Sequence, residues 1–263
     1  MRKFLFQKIK LRQEDKANPL CYSLASRAKI PYLLDSISGG GHALDLGCGI
    51  GFFSNIIAKS FSKITAIDPD AKSIEKARAL YGSANIEFIS AAAEKIPLPD
   101  DSVDFLLSSE VLEHVSDLEQ ALGEAKRVCK DCAIFFITVP STDGIFGNFF
   151  LKIGHKNDNL YEEHKKLPFT KKDVSLILLK NNFQIGKIYY SKISLAEIFM
   201  GLTKLLHDLK RGEPISGQSD ILMPPRIYRI IFPFILFLAK LEDFILNNVL
   251  KGHMIIITGK INK

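Results

Sequence analysis

Five short apolar runs, separated by helical patterns, restrict the fold of this chain more than any other feature of its sequence. Helical patterns at 51–60, 71–81 and 117–129 lie between the runs. Continuous apolar runs are typical of strands buried on both faces of a parallel sheet, and their alternation with helices favours a right-handed, doubly wound α/β fold. The runs are HALDL (42–46), KITAID (63–68), IEFIS (86–90), VDFLLSS (103–109) and AIFFITVP (133–140).

Weaker patterns flank this central region. Helical spacing over 17–36 is interrupted by Pro31, whereas Thr170 and Asp173 form a predicted capping box for a helix at 171–182. Strands at 183–192 and 253–261 complete a mostly parallel, seven-stranded sheet. The predicted parts are an N-terminal helical segment (1–40), an α/β domain (41–192 and 253–263) and a helical insertion (193–252).

The net charge of +6 is unevenly distributed along the 263 residues. Residues 41–140 carry a net charge of −6, so the flanking residues carry +12. We therefore expect the flanks, and not the central region, to meet an anionic surface or substrate. The N-terminal MRKFLFQKIKLRQ is basic but lacks the apolar region and cleavage site of a signal peptide.

The cysteines predict a reducing, cytoplasmic location. Cys21, Cys48, Cys129 and Cys132 form no disulfide framework. Cys129 and Cys132 make a C-x-x-C pair, but no second pair or neighbouring histidine completes a zinc site. We interpret this pair as a helix-to-strand turn that carries two thiols.

A glycine-rich loop after the first apolar run predicts a cofactor site. Gly47, Gly49 and Gly51 have the spacing G-x-G-x-G, and Phe52 stands where the dinucleotide-binding pattern G-x-G-x-x-G needs glycine. No G-K-[ST] follows, so the loop is not a P-loop. Asp68 ends the next strand, where a carboxylate can accept from both ribose hydroxyls. This arrangement suits S-adenosylmethionine, which has a ribose and an ammonium group but no phosphate.

Several segments between residues 40 and 140 carry a family resemblance. Five segments resemble, in order along the chain, the seven-stranded, Rossmann-like (class I) S-adenosylmethionine-dependent methyltransferases. They are LDLGCGIGFFS, AIDPD, AAAEKIPLPDDSVD, SSEVLEHVSDLEQALGEAKRV and FFITVP. The nearest branch is that of quinone-biosynthesis and other small-molecule or lipid methyltransferases. The resemblance implies S-adenosylmethionine as cofactor and S-adenosylhomocysteine as product.

The resemblance also assigns cofactor-binding residues. Asp45 and the glycine loop would hold the methionine end of the cofactor, and Asp68 would bind the ribose. Where the family usually has an aspartate that accepts from the adenine amino group, this chain has Ala92, so adenine recognition would depend on the backbone at Ala93. The complete predicted set is Asp45, Gly47, Cys48, Gly49, Asp68, Pro69, Ala92, Ala93 and Ser109.

Candidate catalytic residues follow the fourth strand. Glu110, Glu113 and His114 would lie close together if this segment were helical. We predict Glu110 and His114 as catalytic residues, with His114 removing a proton from a hydroxyl acceptor. A divalent metal held by the two acids and the histidine, and a purely structural role, remain open; the metal is not favoured. His164 is a further candidate on a loop that could cover the substrate.

The expected acceptor is a small-molecule or lipid-like compound, with O-methylation slightly favoured. A protein that binds the cofactor without turnover, and a nucleotide-dependent oxidoreductase, are the alternatives. Nucleic acid is not expected, because the fourth strand is followed by SSEV and not by N/D-P-P-Y, and no Pro-Cys nucleophile is present. Residues 221–250 contain a short apolar run with basic flanks. We expect a peripheral membrane contact there, with a lid or a homodimer contact as alternatives.

Overall fold

One mixed sheet forms the centre of the protein. The computed structural model describes residues 13–82, 85–144, 169–191, 226–246 and 250–263. Among these residues, seven strands lie in the order β3-β2-β1-β4-β5-β7-β6, and β7 runs antiparallel to both of its neighbours. The strands are β1 (His42–Leu46), β2 (Lys63–Asp68), β3 (Ile86–Ser90), β4 (Val103–Ser109), β5 (Cys129–Pro140), β6 (Phe183–Ser191) and β7 (Met254–Ile261).

Helices connect and flank these strands. Asp70 and Asp117 cap the helices that follow β2 and β4, and their side chains accept from backbone N–H groups of the first turn. The predicted capping box of Thr170 and Asp173 is confirmed. The helices are α1 (Gln13–Ala17), α2 (Leu24–Ser36), α3 (Phe52–Ile57), α4 (Ala71–Tyr81), α5 (Leu118–Val128), α6 (Lys171–Lys180) and α7 (Arg226–Leu246).

The predicted doubly wound fold is confirmed, and its central strands are buried on both faces. Leu44 of β1 and Leu106 of β4 are paired in register and pack into one core layer. Their neighbours Ala43 and Phe105 are also paired and pack into the layer on the opposite face. Burial of both faces explains why these strands are continuously apolar in sequence. The carboxyl ends of β1 and β4 meet at the topological switch point of the sheet.

Two local predictions were wrong. Pro31 does not interrupt its helix, because α2 continues through it to Ser36 and buries the proline ring. Cys129 and Cys132 do not form a helix-to-strand turn, because β5 begins at Cys129 and contains both residues. The pairing of β4 with β5 shifts register after Val103, so the extra residues form a bulge in which Cys132 has a φ of 62°.

Helix α7 packs against α2 on the edge of the fold. Phe232, Leu236 and Ala239 form a buried cluster with Leu24 of α2. The hydroxyl of Tyr228 donates to the backbone carbonyl of Tyr22 at 3.1 Å. Within the described part of the chain, no helix combines the length and the apolar character that a membrane span requires.

Some predicted features fall outside the described residues. These are the basic N-terminus at 1–12, the candidate His164, and residues 193–225 and 247–249 of the predicted insertion.

Candidate active site

The glycine loop lies between β1 and α3 at the switch point of the sheet. Gly47, Gly49 and Gly51 all have positive φ, at 69°, 51° and 77°, which explains why this turn is built from glycine. A Cβ atom on Gly47 would lie 2.3 Å from a methyl carbon of Val111. The loop is therefore in direct contact with the segment that follows β4. Cys48 is buried and donates its backbone N–H to the carbonyl of Ile67 at 2.9 Å.

Asp68 at the end of β2 holds the loop in place. One carboxylate oxygen accepts from the backbone N–H of Gly49 at 2.8 Å, and the other accepts from Asp70 at 2.9 Å. Partial burial raises the pKa of Asp68 in spite of these two hydrogen bonds. The side chain is not fully buried, and a carboxylate has further lone pairs that can accept from ribose hydroxyls. Pro69, beside it, is exposed.

Asp45 lies beneath the loop and is buried. Its carboxylate accepts from the hydroxyl of Ser54 at 2.5 Å, which joins β1 to α3. Burial, together with the nearby charge of Asp68, raises the pKa of Asp45 to about 7. A contact with the cofactor's ammonium group would favour the ionised form of this carboxyl group.

The raised pKa of Asp45 predicts a pH-dependent stability. Between about pH 4 and pH 7 the native protein keeps a proton that the unfolded chain has lost, so the free energy of unfolding falls as pH rises through this window. Asp45→Asn should remove this dependence. Between pH 4 and pH 8 we expect the free energy of unfolding of the variant to rise by about 2–4 kcal/mol relative to that of the original protein.

Urea unfolding of both proteins without cofactor, measured across this pH range, tests the prediction. Asparagine keeps the size of the side chain and an acceptor for Ser54. Both proteins contain Asp68, so its contribution to the pH dependence of stability cancels in the comparison. Parallel pH profiles for the two proteins would show that Asp45 keeps an ordinary pKa.

The loop after β3 lies beside Asp68 and is tied to the segment after β4. The backbone N–H of Ala91 donates to the carbonyl of Asp68 at 3.1 Å. Ala92 is exposed and Ala93 is buried. Neither supplies a side-chain acceptor, because the side chain of alanine is a methyl group. Glu94 accepts from the backbone and the hydroxyl of Ser116, both at 2.7 Å. Although partial burial opposes it, these hydrogen bonds lower the pKa of Glu94.

The segment after β4 is a turn, so the helical spacing that would bring Glu110, Glu113 and His114 together is absent. The backbone N–H of His114 donates to the carbonyl of Val111 at 2.8 Å, and α5 begins only at Leu118. Glu110 has a φ of 58°, a strained conformation for a residue other than glycine. Glu113 is buried, whereas the side chain of His114 is 54% exposed, with Nε2 4.0 Å from a carboxylate oxygen of Glu113.

Lys29 is a residue of the site that the sequence analysis missed. Its side chain is only 3% exposed, and Nζ lies 2.9 Å from Oε1 of Glu110 and 2.9 Å from the hydroxyl of Ser109. This contact joins α2 to the carboxyl end of β4 and gives the carboxylate of Glu110 a fixed partner. The only signal in the sequence was a lysine within an apolar helical pattern, which normally indicates an exposed side chain.

The described residues contain no cluster of three His, Cys, Asp or Glu side chains that could hold a metal ion. The site consists of a glycine loop and the carboxylate of Asp68, next to a turn with two acids and an imidazole.

The same part of the chain, residues 44–137, matches the family model described as a methyltransferase domain. Residues 44–137 form a methyltransferase domain. This match includes the glycine loop, Asp68 and the turn after β4, so the methyltransferase domain holds the candidate site except for Lys29. The quinone-biosynthesis branch stays a prediction.

Curated relatives match this domain only in part. A probable S-adenosylmethionine-dependent methyltransferase of Mycolicibacterium smegmatis is 31% identical over 102 residues, which is 39% of this chain and 39% of the relative. A malonyl-[acyl-carrier protein] O-methyltransferase of Serratia marcescens is 35% identical over 91 residues, 35% of each chain. The chain thus matches well under half of the length of these relatives.

Solved structures agree over most of the chain. A crystal structure of an S-adenosylmethionine-dependent methyltransferase from Thermotoga maritima has a TM-score of 0.58 and 16% identity, and the match covers 94% of this chain and 92% of that one. At this identity the likeness shows the fold alone.

The residues of the methyltransferase domain fit S-adenosylmethionine, the cofactor of this family. The glycine loop would lie against the methionine end of the cofactor, and Asp68, which holds the loop through Gly49, would accept from the ribose. Because Ala92 has no acceptor, the adenine amino group would depend on the backbone of this loop. The missing neutral hydrogen bond is worth about 1 kcal/mol, too little to change the choice of cofactor.

Proposed function

We propose that the protein transfers a methyl group from S-adenosylmethionine to an oxygen atom of a small-molecule or lipid-like acceptor. The observation that carries this proposal is the contact between Gly47 of the cofactor loop and Val111. It fixes the turn with Glu110 and His114 directly beside the place where the methyl donor would bind. A polar turn in this position can orient an acceptor and remove its proton.

S-Adenosylmethionine, when bound, supplies an electrophilic methyl group, and the chain has to present the nucleophile in line with it. His114 is accessible to solvent and acceptor, and its neutral imidazole can accept the proton of a hydroxyl group. The adjacent Glu113 would stabilise the imidazolium that forms. Glu110, fixed by Lys29, can accept a hydrogen bond from the acceptor and hold it in place.

Two observations support the acceptor class. The Serratia relative is named an O-methyltransferase, which agrees with oxygen as the attacking atom. Helix α7 exposes large apolar side chains, including Ile230 and Phe234, on the edge of the fold. An apolar surface of this kind suits a protein that handles lipid-like compounds.

The alternatives are less well supported. In a nucleotide-dependent oxidoreductase we would expect glycine at position 52, but Phe52 is fully buried and fills the core between α2 and α3. A protein that binds the cofactor without turnover would not need the polar turn. The strained Glu110 and its buried partner Lys29 favour an active protein over this alternative.

Transfer of an isotope-labelled methyl group tests the proposal. The full chain would be incubated with methyl-labelled S-adenosylmethionine and, separately, with lipid and polar metabolite extracts of cells that lack the protein. We expect mass spectrometry to find a labelled product in the lipid extract, formed with an equal amount of S-adenosylhomocysteine.

Asp68→Ala is the control variant. Label that it transfers as well as the original protein does not depend on the cofactor site. Label on nitrogen would overturn the proposed transfer to oxygen, and label only in polar metabolites would exclude the lipid-like acceptor. Cofactor binding without label in any fraction would favour the alternative without turnover.

A further inference from the structure

The two faces of α7 have different surroundings. The inner face packs on α2, where Phe232 is 2% exposed. The outer face carries a stripe of exposed side chains, in which Ile230 is 76% and Phe234 is 65% exposed. At 3.6 residues per turn the members of this stripe lie on one side of the helix. The outer stripe consists of Ile230, Ile231, Phe234, Phe237, Leu238, Phe244 and Ile245.

The structure separates aromatic residues that are equivalent in sequence. Phe232 and Phe234 both belong to the apolar run of the predicted insertion. Phe232 contacts Tyr22, with 5.8 Å between ring centroids, and belongs to the core between α7 and α2. Phe234 belongs to the outer stripe. Only the outer residues can therefore be changed without disturbing the packing of the helix.

Basic side chains border the outer stripe on one side. Arg229 and Lys240 lie within about 20° of each other around the helix axis, next to the stripe, and Arg226 is exposed at the start of the helix. Arg27 of α2 approaches the same border. Burial and the charge of Arg27 lower the pKa of Lys240 to about 8. No group among the described residues accepts from the buried Nε atoms of Arg27 and Arg229.

This combination is typical of helices that lie in the interface of a membrane. Such helices bury an apolar face in the boundary between headgroups and acyl chains, and place Lys and Arg against anionic headgroups. The helix has 21 residues, which gives a length of about 30 Å along the surface. A pairing of two copies with antiparallel helices would instead bring the basic borders together, which like-charge repulsion disfavours.

We propose that α7 is a membrane-docking element, which binds the surface of a bilayer that contains anionic lipids through its outer stripe and its basic border. The proposal is argued from α7 and α2 alone and does not depend on the proposed methyl transfer. Together with that function, it would place the acceptor in the membrane to which the protein docks.

Vesicle flotation tests the apolar part of the proposal. The full chain would be mixed with vesicles of phosphatidylcholine alone, or with added phosphatidylglycerol, at low and high salt. We expect it to float with the anionic vesicles at low salt. The triple variant Ile230→Ser, Phe234→Ser and Leu238→Ser should lower the bound fraction at least about tenfold, because three apolar side chains no longer enter the interface.

A matched control is available on α6. Leu176 and Leu179 are also exposed, at 57% and 53%, and their change to serine should leave binding unaltered. Circular dichroism and thermal unfolding establish that each variant is folded.

A second pair of variants tests the basic border. Arg226→Gln with Arg229→Gln should weaken binding to anionic vesicles about fivefold or more at low salt, with a smaller effect at high salt. Lys171→Gln with Lys172→Gln removes the same charge from α6 and should have little effect.

Three outcomes would overturn the proposal. The first is an original protein that stays in the soluble fraction with anionic vesicles at low salt. The second is a folded triple variant that floats as well as the original. The third is a homodimer, detected by light scattering, that is lost in the triple variant while flotation is unchanged. Helix α7 would then be a contact between copies of the chain. Methyl transfer could persist in all three cases, so failure here is distinguishable from failure of the proposed function.

Discussion

Replacing His114 by alanine is expected to lower the rate of methyl transfer about a hundredfold, which is the usual contribution of a general base. The affinity for S-adenosylhomocysteine should not change, because His114 lies in the turn after β4, outside the glycine loop and the loops after β2 and β3. The side chain is 54% exposed, so the variant should fold normally. Turnover on the acceptor found by label transfer, and calorimetric titration of the cofactor product, measure the two effects.

A pH profile separates a base from a structural residue. If His114 is the base, the original protein should lose activity at acid pH, where a protonated imidazole cannot accept a proton, and the variant should lack this loss. A variant with full activity would show that the turn has a structural role only. Loss of activity with EDTA, restored by magnesium, would instead support the metal site that our sequence analysis left open.

The change Asp68→Ala should weaken the binding of S-adenosylhomocysteine about thirtyfold or more, equivalent to about 2 kcal/mol, because a charged acceptor of the ribose hydroxyls is lost. The structure adds a second reason. Asp68 also accepts the backbone N–H of Gly49, so its removal frees the loop that holds the methionine end. Calorimetric titration of both proteins at the same pH measures the difference.

Asp70→Ala is the matched control for this experiment. Asp70 is two residues away and caps α4, so its loss should lower the stability of the protein by about 1 kcal/mol without a large change in affinity. Unchanged affinity in Asp68→Ala, or equal losses in both variants, would contradict the assignment of Asp68 to the ribose.

The central strands could be predicted from the sequence because their surroundings are uniform. β1, β2 and β4 have the bounds that their apolar runs indicate, since each is short and its two faces pack into buried layers. The edge strand β3 also has its predicted bounds, although Glu87 is exposed. The glycine loop was also predictable, because only glycine adopts its three positive φ values readily. In these strands and in the glycine loop, the residues that the local sequence pattern favours are also the residues that the tertiary structure requires.

The failures occur where tertiary contacts outweigh local pattern. Pro31 stays inside α2, whose buried face packs against the rest of the fold. The segment at Glu110 is a turn and not the helix that its residue spacing allows, because Val111 contacts the glycine loop and Glu94 holds Ser116. A periodic pattern contains no information about these contacts.

Partners distant in sequence could not be predicted at all. Lys29 and Glu110 are paired across 81 positions, and neither residue type identifies the other. Likewise, the apolar pattern of α7 does not show which of its residues face α2, because both sides of the helix are apolar. Both the Lys29–Glu110 pair and the inner face of α7 depend on the position of α2, which contacts the end of β4 and packs against α7.

A calorimetric titration of the original protein with S-adenosylhomocysteine and, separately, with NADH tests the central claim most directly. The glycine loop, Asp68 and the backbone at Ala93 fit an adenosyl group with an ammonium tail, and Phe52 removes the glycine that a dinucleotide site needs. We predict binding of S-adenosylhomocysteine at one site per chain and no detectable heat with NADH. Preferential binding of NADH, or no binding of S-adenosylhomocysteine to the folded protein, would contradict the claim.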